Sequence, residues 1–326
     1  MTEWVESHRP SRNLVDPHRP FAFLEELERS HSREIVSIAT IFLTNRECPW
    51  RCLHCDLWKN TLTATVPVGS IPNQIEYALA ELGRPPSRPR STARQIKLYN
   101  SGSFFDPQAI PLHDYPAIAR RVDSFHRVIV ESHPALIGNK TLHFRDLLSE
   151  GAPSKSRPPT LEVAMGLETA HPGVLAKLNK RMTLDGFRRA SEFLQRHQIA
   201  LRAFVLVHPP FLHSDEAIKW IRRSVDFAFD CGASVVSLIP TRFGNGALEA
   251  LAQTGEFSAP TLFSLENALE YGVSLRRGRV FADLWDLQTF SRCPSCFDAR
   301  RARLQDINWH QIVPPSVPCP YCDQAR

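Results

Sequence analysis

The stretch Asn45-Arg-Glu-Cys-Pro-Trp-Arg-Cys-Leu-His-Cys-Asp56 follows an apolar, β-branched run from Ile35 to Leu43. Its three cysteines, Cys48, Cys52 and Cys55, are spaced C-x3-C-x2-C. So compact a trio of thiolates suits three irons of a cubane cluster. Iron–sulfur clusters normally take four cysteines, so a loop with three implies an outside ligand on the fourth iron. Two other readings compete: a zinc knuckle that borrows a fourth ligand, or reduced thiols without metal. His54 is a poor fourth ligand, because it adjoins Cys55 inside the chelate loop.

Working outward, the composition sets the class. The chain has 326 residues, 43% hydrophobic and 22% charged, which is ordinary for a globular protein and enough for one large core plus an appendage. No run approaches the ~18 apolar residues of a membrane span, and the N-terminus Met-Thr-Glu-Trp-Val-Glu lacks the apolar core of a secretory signal. The expected compartment is the cytoplasm. There, eight cysteines are better read as metal ligands than as disulfides. Cys231 stands apart from the metal-like groups and reads as a small buried hydrophobe. A formal charge of +5 permits a polyanionic partner without requiring one.

Residues 1–34 read as a polar N-terminal extension with a helix over Phe21–Arg29. From Ile35, short β-branched runs alternate with amphipathic segments. The strands expected are Ile35–Leu43, Gln95–Tyr99, His126–Glu131, Thr160–Gly166, Ala200–Val207 and Ser234–Ile239. Helices are expected near Pro72–Leu82, Asp114–Arg120, Leu142–Glu150, Leu184–Arg196 and Ser214–Phe229, with Gly151 as a C-cap. This alternation predicts an α/β fold with a parallel sheet over residues 35–275, followed by a cysteine-rich extension, 276–326. Residues 83–94 and 153–159 are Pro-rich and basic, hence loops.

Active residues in such folds gather at the C-terminal ends of strands, and the cysteine loop follows the first strand of the alternation. After the second comes Asn100-Ser-Gly-Ser103, a turn whose glycine lets backbone polar groups meet a ligand closely. The third and fourth strands end at Glu131 and Glu168, two carboxylates better explained together by a polar ligand than by chance. His208, after the fifth, could donate a proton, but a loop histidine satisfied by backbone is the preferred reading.

In this order, the cysteine loop, Ser101-Gly102-Ser103, Glu131-Ser-His-Pro134 and Gly166-Leu-Glu-Thr169 resemble the radical S-adenosylmethionine (SAM) superfamily. The phrase from Gly166 to Thr183 resembles the Elongator catalytic subunit group. The Tyr99–Asp106 turn looks most like the radical SAM subunit of archaeosine synthase. The chain departs in a narrower first cysteine gap, in Asn-Ser-Gly-Ser where Gly-Gly-Glu is common, and in His54 where an aromatic residue is usual. The resemblance implies a partial (β/α)6 TIM-like barrel with a 4Fe-4S cluster on Cys48, Cys52 and Cys55. It further implies SAM contacts from the backbone near His54, from Asn100, Ser101, Gly102 and Ser103, and from Glu131 and Glu168. The implied reaction is cleavage of SAM followed by hydrogen abstraction from substrate. A tRNA base, such as a 7-deazaguanine bearing a lysine adduct, leads the substrates implied, with an electron donor such as flavodoxin or ferredoxin.

The tail carries Cys293-Pro-Ser-Cys296 and Cys319-Pro-Tyr-Cys322, two C-x2-C knuckles. Each knuckle lets two thiolates reach one ion, and two knuckles complete a four-thiolate site. Zinc is preferred, with a second iron–sulfur cluster as the alternative. A short Pro-rich tail can hardly build a core unaided, so a metal staple makes physical sense. Two other functions stay open on the sequence: radical SAM chemistry on a peptide or small metabolite, and a non-catalytic, metal-stapled nucleic-acid-binding protein.

Overall fold

β-branched runs separated by one helix each cannot turn back on themselves, so they pair in parallel, and the chain follows that rule. In the computed structural model, which describes residues 1–83, 93–150 and 158–323, eight strands pair in sequence order. They are β1 (Ala22–Arg29), β2 (Ile35–Phe42), β3 (Gln95–Tyr99), β4 (Arg127–Glu131), β5 (Thr160–Glu168), β6 (Ala200–Val207), β7 (Val235–Pro240) and β8 (Arg279–Ala282). β2 to β8 are parallel and β1 runs antiparallel to β2. The helices are α1 (Thr2–Ser7), α2 (Ser70–Leu82), α3 (Tyr115–Arg121), α4 (Asn139–Glu150), α5 (Pro172–Lys177), α6 (Leu184–Arg196), α7 (Ser214–Asp230), α8 (Ala247–Gln253), α9 (Leu262–Ser274), α10 (Pro294–His310) and α11 (Pro320–Asp323). Among the described residues no helix is long and apolar enough to cross a membrane. Most of the two Pro-rich basic stretches, and Gly151, lie outside the described residues.

The period of two along each strand sorts the side chains. Ile96 and Leu98, Val128 and Val130, Val163 and Met165, Leu201 and Ala203, Val236 and Leu238 join the helices in one hydrophobic core. The alternate residues face the concave side, and near the N-terminal ends of the strands they are ionic. Arg202 donates to Glu162 (2.8 Å) and Glu28 (2.6 Å), Lys97 to Glu26 and Glu28 (2.8 Å each), and Arg127 to Glu162 (2.7 Å). Burial alone would raise the Glu28 carboxyl, but Arg202 and Lys97 hold it far below the usual range. These pairs floor the barrel. Removing one partner would leave a buried charge uncompensated, at roughly 3–5 kcal/mol.

This floor corrects one expectation. Phe21–Arg29, expected as a helix, instead forms strand β1 from Ala22 to Arg29. The alternation of Glu26 and Glu28 is what places both carboxylates in the barrel, against Thr40, Lys97 and Arg202. Tertiary pairing overrides helix propensity here. β8 and α10, also unexpected, complete the sheet and cover its last edge.

Candidate active site

The loop after β2 crosses the C-terminal ends of the strands and is tied down from several elements. The Gln74 side chain accepts from the Thr44 N–H and donates to the Thr44 and Pro17 carbonyls. Asn179 donates to the carbonyls of Trp50 and Arg51, and Asn245 to that of Leu53. The Leu53 N–H donates to the Leu178 carbonyl. Trp50 stacks on His133, ring centroids 3.9 Å apart. Val5 of α1 packs with Leu53, Leu248 and Leu251 beneath the loop, so the N-terminal segment is part of its support.

Within this frame Cys48, Cys52 and Cys55 are free thiols. Burial pushes each up to about 12. Nearby cations, Lys180 and Arg51 for Cys48 and Arg9 for Cys55, favour the thiolate that a metal would take. Among the described residues, only the tail cysteines form a group of three or more candidate ligands with donor atoms all within 4.8 Å.

The β3–α3 turn presses on this loop. A Cβ on Gly102 would sit 3.3 Å from the Cys48 Cβ, so glycine permits the approach. The N–H groups of Asn100 and Gly102 donate to the Glu131 carboxylate at the end of β4. Burial pushes the Glu131 carboxyl up to about 7, with those two N–H groups and Lys180 pulling the other way. The Ser103 Oγ accepts the His133 N–H at 2.8 Å, fastening the turn to the segment after β4. Asn100 is fully buried, yet neither Oδ1 nor Nδ2 has a partner among the described residues.

β5 ends in a bulge that swings Glu168 beneath the loop, with a left-handed backbone at φ +65°. There it meets Lys180, which sequence reasoning missed. The Lys180 ammonium donates to the Glu168 carboxylate at 2.5 Å, and His54 Nε2 lies 3.7 Å from its other oxygen. Burial alone would raise Glu168, but Lys180 and His54 bring it down. Burial opposes the Lys180 charge, and Glu168, then Cys52, hold it protonated. A Cβ on Gly166 would fall 2.1 Å from the Glu168 carboxylate and 2.3 Å from Lys180 Nζ, so this ion pair needs the glycine. The flanking Asn179 and Arg181 are left-handed (φ +56° and +53°), and such strained backbone clusters at functional sites. Away from this centre, His208 Nε2 lies 3.1 Å from the Leu212 carbonyl, as expected of a backbone-satisfied loop histidine.

At the tail, Cys293 and Cys319 sulfurs lie 3.8 Å apart, and those of Cys296 and Cys322 3.7 Å. All four donor atoms fall within 4.8 Å of one another. A tetrahedral ion with bonds of about 2.3 Å to sulfur needs thiolates about 3.8 Å apart. The quartet can hold one metal ion.

The cofactor site passes a test of fit. Buried polar atoms are normally paired, yet Thr44 Oγ1, Asn45 Oδ1, His54 Nδ1 and both polar atoms of Asn100 have no partner among the described residues. His54 stands within the cysteine loop beside Glu168, and Asn100 in the turn that presses on Cys48, so a polar ligand there could meet both.

Scanned against protein-family models, the chain matches none. It is 24% identical over 274 residues to an uncharacterized protein of Methanocaldococcus jannaschii, covering 81% of this chain and 72% of that protein. It is 27% identical over 175 residues to archaeosine synthase subunit beta of Methanosarcina acetivorans. That match covers 52% of this chain and 48% of the subunit, so the chain aligns with about half the length of that relative. In structure it is similar to Elp3 of Methanocaldococcus infernus, with a TM-score of 0.51 at 12% identity, over 82% of this chain and 63% of that one. The chain shares its fold with that Elp3, an α/β barrel-like sheet of parallel strands covered by helices, the architecture that the resemblance implied.

Proposed function

We propose that the chain is a radical SAM enzyme whose cluster sits on Cys48, Cys52 and Cys55 and whose SAM lies between Asn100, Glu131, Glu168 and Lys180. The observation that carries this is the thiolate trio at the C-terminal mouth of a parallel barrel, beside the unpaired polar atoms of Asn100 and His54 and the buried Lys180–Glu168 pair. When bound, the cluster and SAM supply one-electron reduction and, through it, hydrogen abstraction from substrate. The residues of the chain hold and orient. Asn100 offers a donor and an acceptor to a polar ligand. Glu131 fixes the turn that carries Asn100. Lys180 presents a cation suited to a carboxylate, with Glu168 keeping it charged. Anaerobic reconstitution with iron and sulfide tests the reading: visible absorbance that bleaches with dithionite, then 5′-deoxyadenosine released from SAM, supports it. Colourless protein that leaves SAM intact would overturn it.

The likeness to archaeosine synthase subunit beta supports a tRNA base as substrate, with a 7-deazaguanine bearing a lysine adduct leading. Nucleoside analysis of tRNA incubated with the reconstituted protein tests that. An electron donor such as flavodoxin or ferredoxin would approach the cysteine loop, beside which a cleft is lined by Arg12, Arg46, Glu47 and Arg51. Sulfur spacing at the tail favours one zinc ion over a second iron–sulfur cluster, whose irons would hold the four thiolates further apart. Eight thiols, seven of them proposed metal ligands, fit a reducing cytoplasm.

Glu131→Ala is expected to weaken SAM binding about tenfold to a hundredfold, because the turn that carries Asn100 loses the acceptor of two of its N–H groups. Glu131→Gln, which keeps an acceptor for the turn, should lose less. Calorimetric titration with SAM measures both. Unchanged affinity beside a collapsed thermal midpoint would make Glu131 a fold residue only.

Replacing Cys293 and Cys319 together by serine should remove the tail ion and leave the first cluster's spectrum intact. Metal analysis of protein kept without air reads the outcome: about one zinc per chain in the parent and none in the variant. About eight irons per chain and no zinc in the parent would instead mean two four-iron clusters.

A further inference from the structure

β8 is an edge strand, and exposed edge N–H and C=O groups are ordinarily a liability. Here they are satisfied by a helix. Asn308 of α10 accepts the Ala282 N–H and donates to the Ala282 carbonyl, both at 2.9 Å. Gln311, just past the end of α10, does the same for Val280, at 2.7 and 2.8 Å. Two side-chain amides thus stand where a ninth strand would pair. The same helix reaches the opposite edge of the sheet. Arg29 of β1 donates to the Trp309 carbonyl (3.0 Å), and Arg279 of β8 donates to the Arg29 carbonyl (2.8 Å). α10 therefore fills the seam between the first and last strands.

Cys293 and Cys296 lie at the other end of this helix, as its N-cap and in its first turn. From Gln311 the chain runs back along α10 until Cys319 and Cys322 meet them. Apolar burial does not hold this return: from Gln311 to Pro318 every residue is exposed or half-exposed. It is held by Arg303, which donates to the carbonyls of Pro314 (2.7 Å) and Pro315 (2.8 Å), and by the sulfur quartet. Arg303 and Arg300 also pair with Glu270 and Glu266 of α9. Losing the tail would deprive the buried Arg303 of two carbonyls and free the first turn of α10.

We propose that the tail ion is a seam lock: by clamping the tail along α10, it keeps Asn308 and Gln311 on the edge of β8 and so keeps the barrel closed. This rests on reading the quartet as a single-zinc site, and the test separates the two claims. Full-length protein carrying both metals is treated without air with a zinc chelator, and backbone deuterium uptake is compared before and after. Metal analysis and the visible absorbance of the first cluster, taken on the same samples, report that only the tail ion has left. The amides of Val280 and Ala282 are expected to exchange about 5- to 30-fold faster without zinc, the factor that goes with losing one or two hydrogen bonds. β3 to β6 should be unchanged. In zinc-loaded Asn308→Leu/Gln311→Leu protein the same two amides should exchange faster at full zinc content. Faster exchange confined to residues 311–323 would overturn the lock, because Leu304 and Ile307 would then hold α10 unaided. So would uniform acceleration through the sheet, or unchanged β8 exchange in the double variant. Zinc absent from the untreated protein would overturn the site's assignment instead.

Discussion

Cys52→Ala protein, reconstituted without air, is expected to release no 5′-deoxyadenosine from SAM while keeping its fold. Cys52 is one of three thiols in a loop whose position does not depend on it. Gln74, Asn179, Asn245 and Leu53 all anchor the backbone around it, so a cluster lost from this variant is not replaced by a rearranged loop. No spare thiol is at hand: the cysteines outside the loop are Cys231, at the C-cap of α7, and the tail quartet, already drawn to single-ion spacing. Cys52 is only partly buried, so truncating it removes little packing, and the thermal midpoint of metal-free protein should move by only a few degrees. Full SAM cleavage by Cys52→Ala would place the cluster elsewhere. Loss of cleavage together with loss of far-ultraviolet ellipticity would make Cys52 a fold residue and leave its ligand role unsupported.

The part of this site that was legible in the sequence is the part carried by contiguous residues. A trio of cysteines within eight positions is local chemistry, and so is a glycine in a βα turn. The strands from β2 to β7 were legible too, because their alternate residues belong to one apolar core and each helix between them follows a single amphipathic face. What could not be read rests on partners far away in sequence. β1 looks helical until Lys97 and Arg202 supply counter-charges for Glu26 and Glu28. α10 carries Arg303, Asn308 and Gln311 toward neighbours that only the folded chain provides. Ser103 accepts the His133 N–H, a partner thirty residues away. Lys180 gave no signal beyond its place in the phrase that resembles the Elongator group. Its role depends on Gly166, Glu168 and two thiols from another strand end meeting at one point.

Lys180→Met should be the most disruptive single change at the site outside the cysteines. Lys180 and Glu168 are both less than one-tenth exposed, and breaking a buried pair from one side costs roughly 3–5 kcal/mol. Loss of SAM binding in this variant alone would therefore mean little. Lys180→Met/Glu168→Gln removes both charges and should recover most of the thermal midpoint, since a buried pair replaced as a unit is close to neutral. SAM affinity should stay at least about tenfold down in the double variant, the loss of one charged hydrogen bond. Affinity restored with the fold would make Lys180 a counter-ion to Glu168 and nothing more. The pH dependence offers a check without ligand. Glu168 is held below its ordinary 4.5 by Lys180, so the pair's stabilisation is complete above that value and is lost as pH falls through the folded-state pKa. Wild-type protein should lose thermal stability in that acid range, and the double variant should lose less, because the amide that replaces the Glu168 carboxylate cannot titrate. Parallel acid profiles would show that the ion pair does not stabilise the fold.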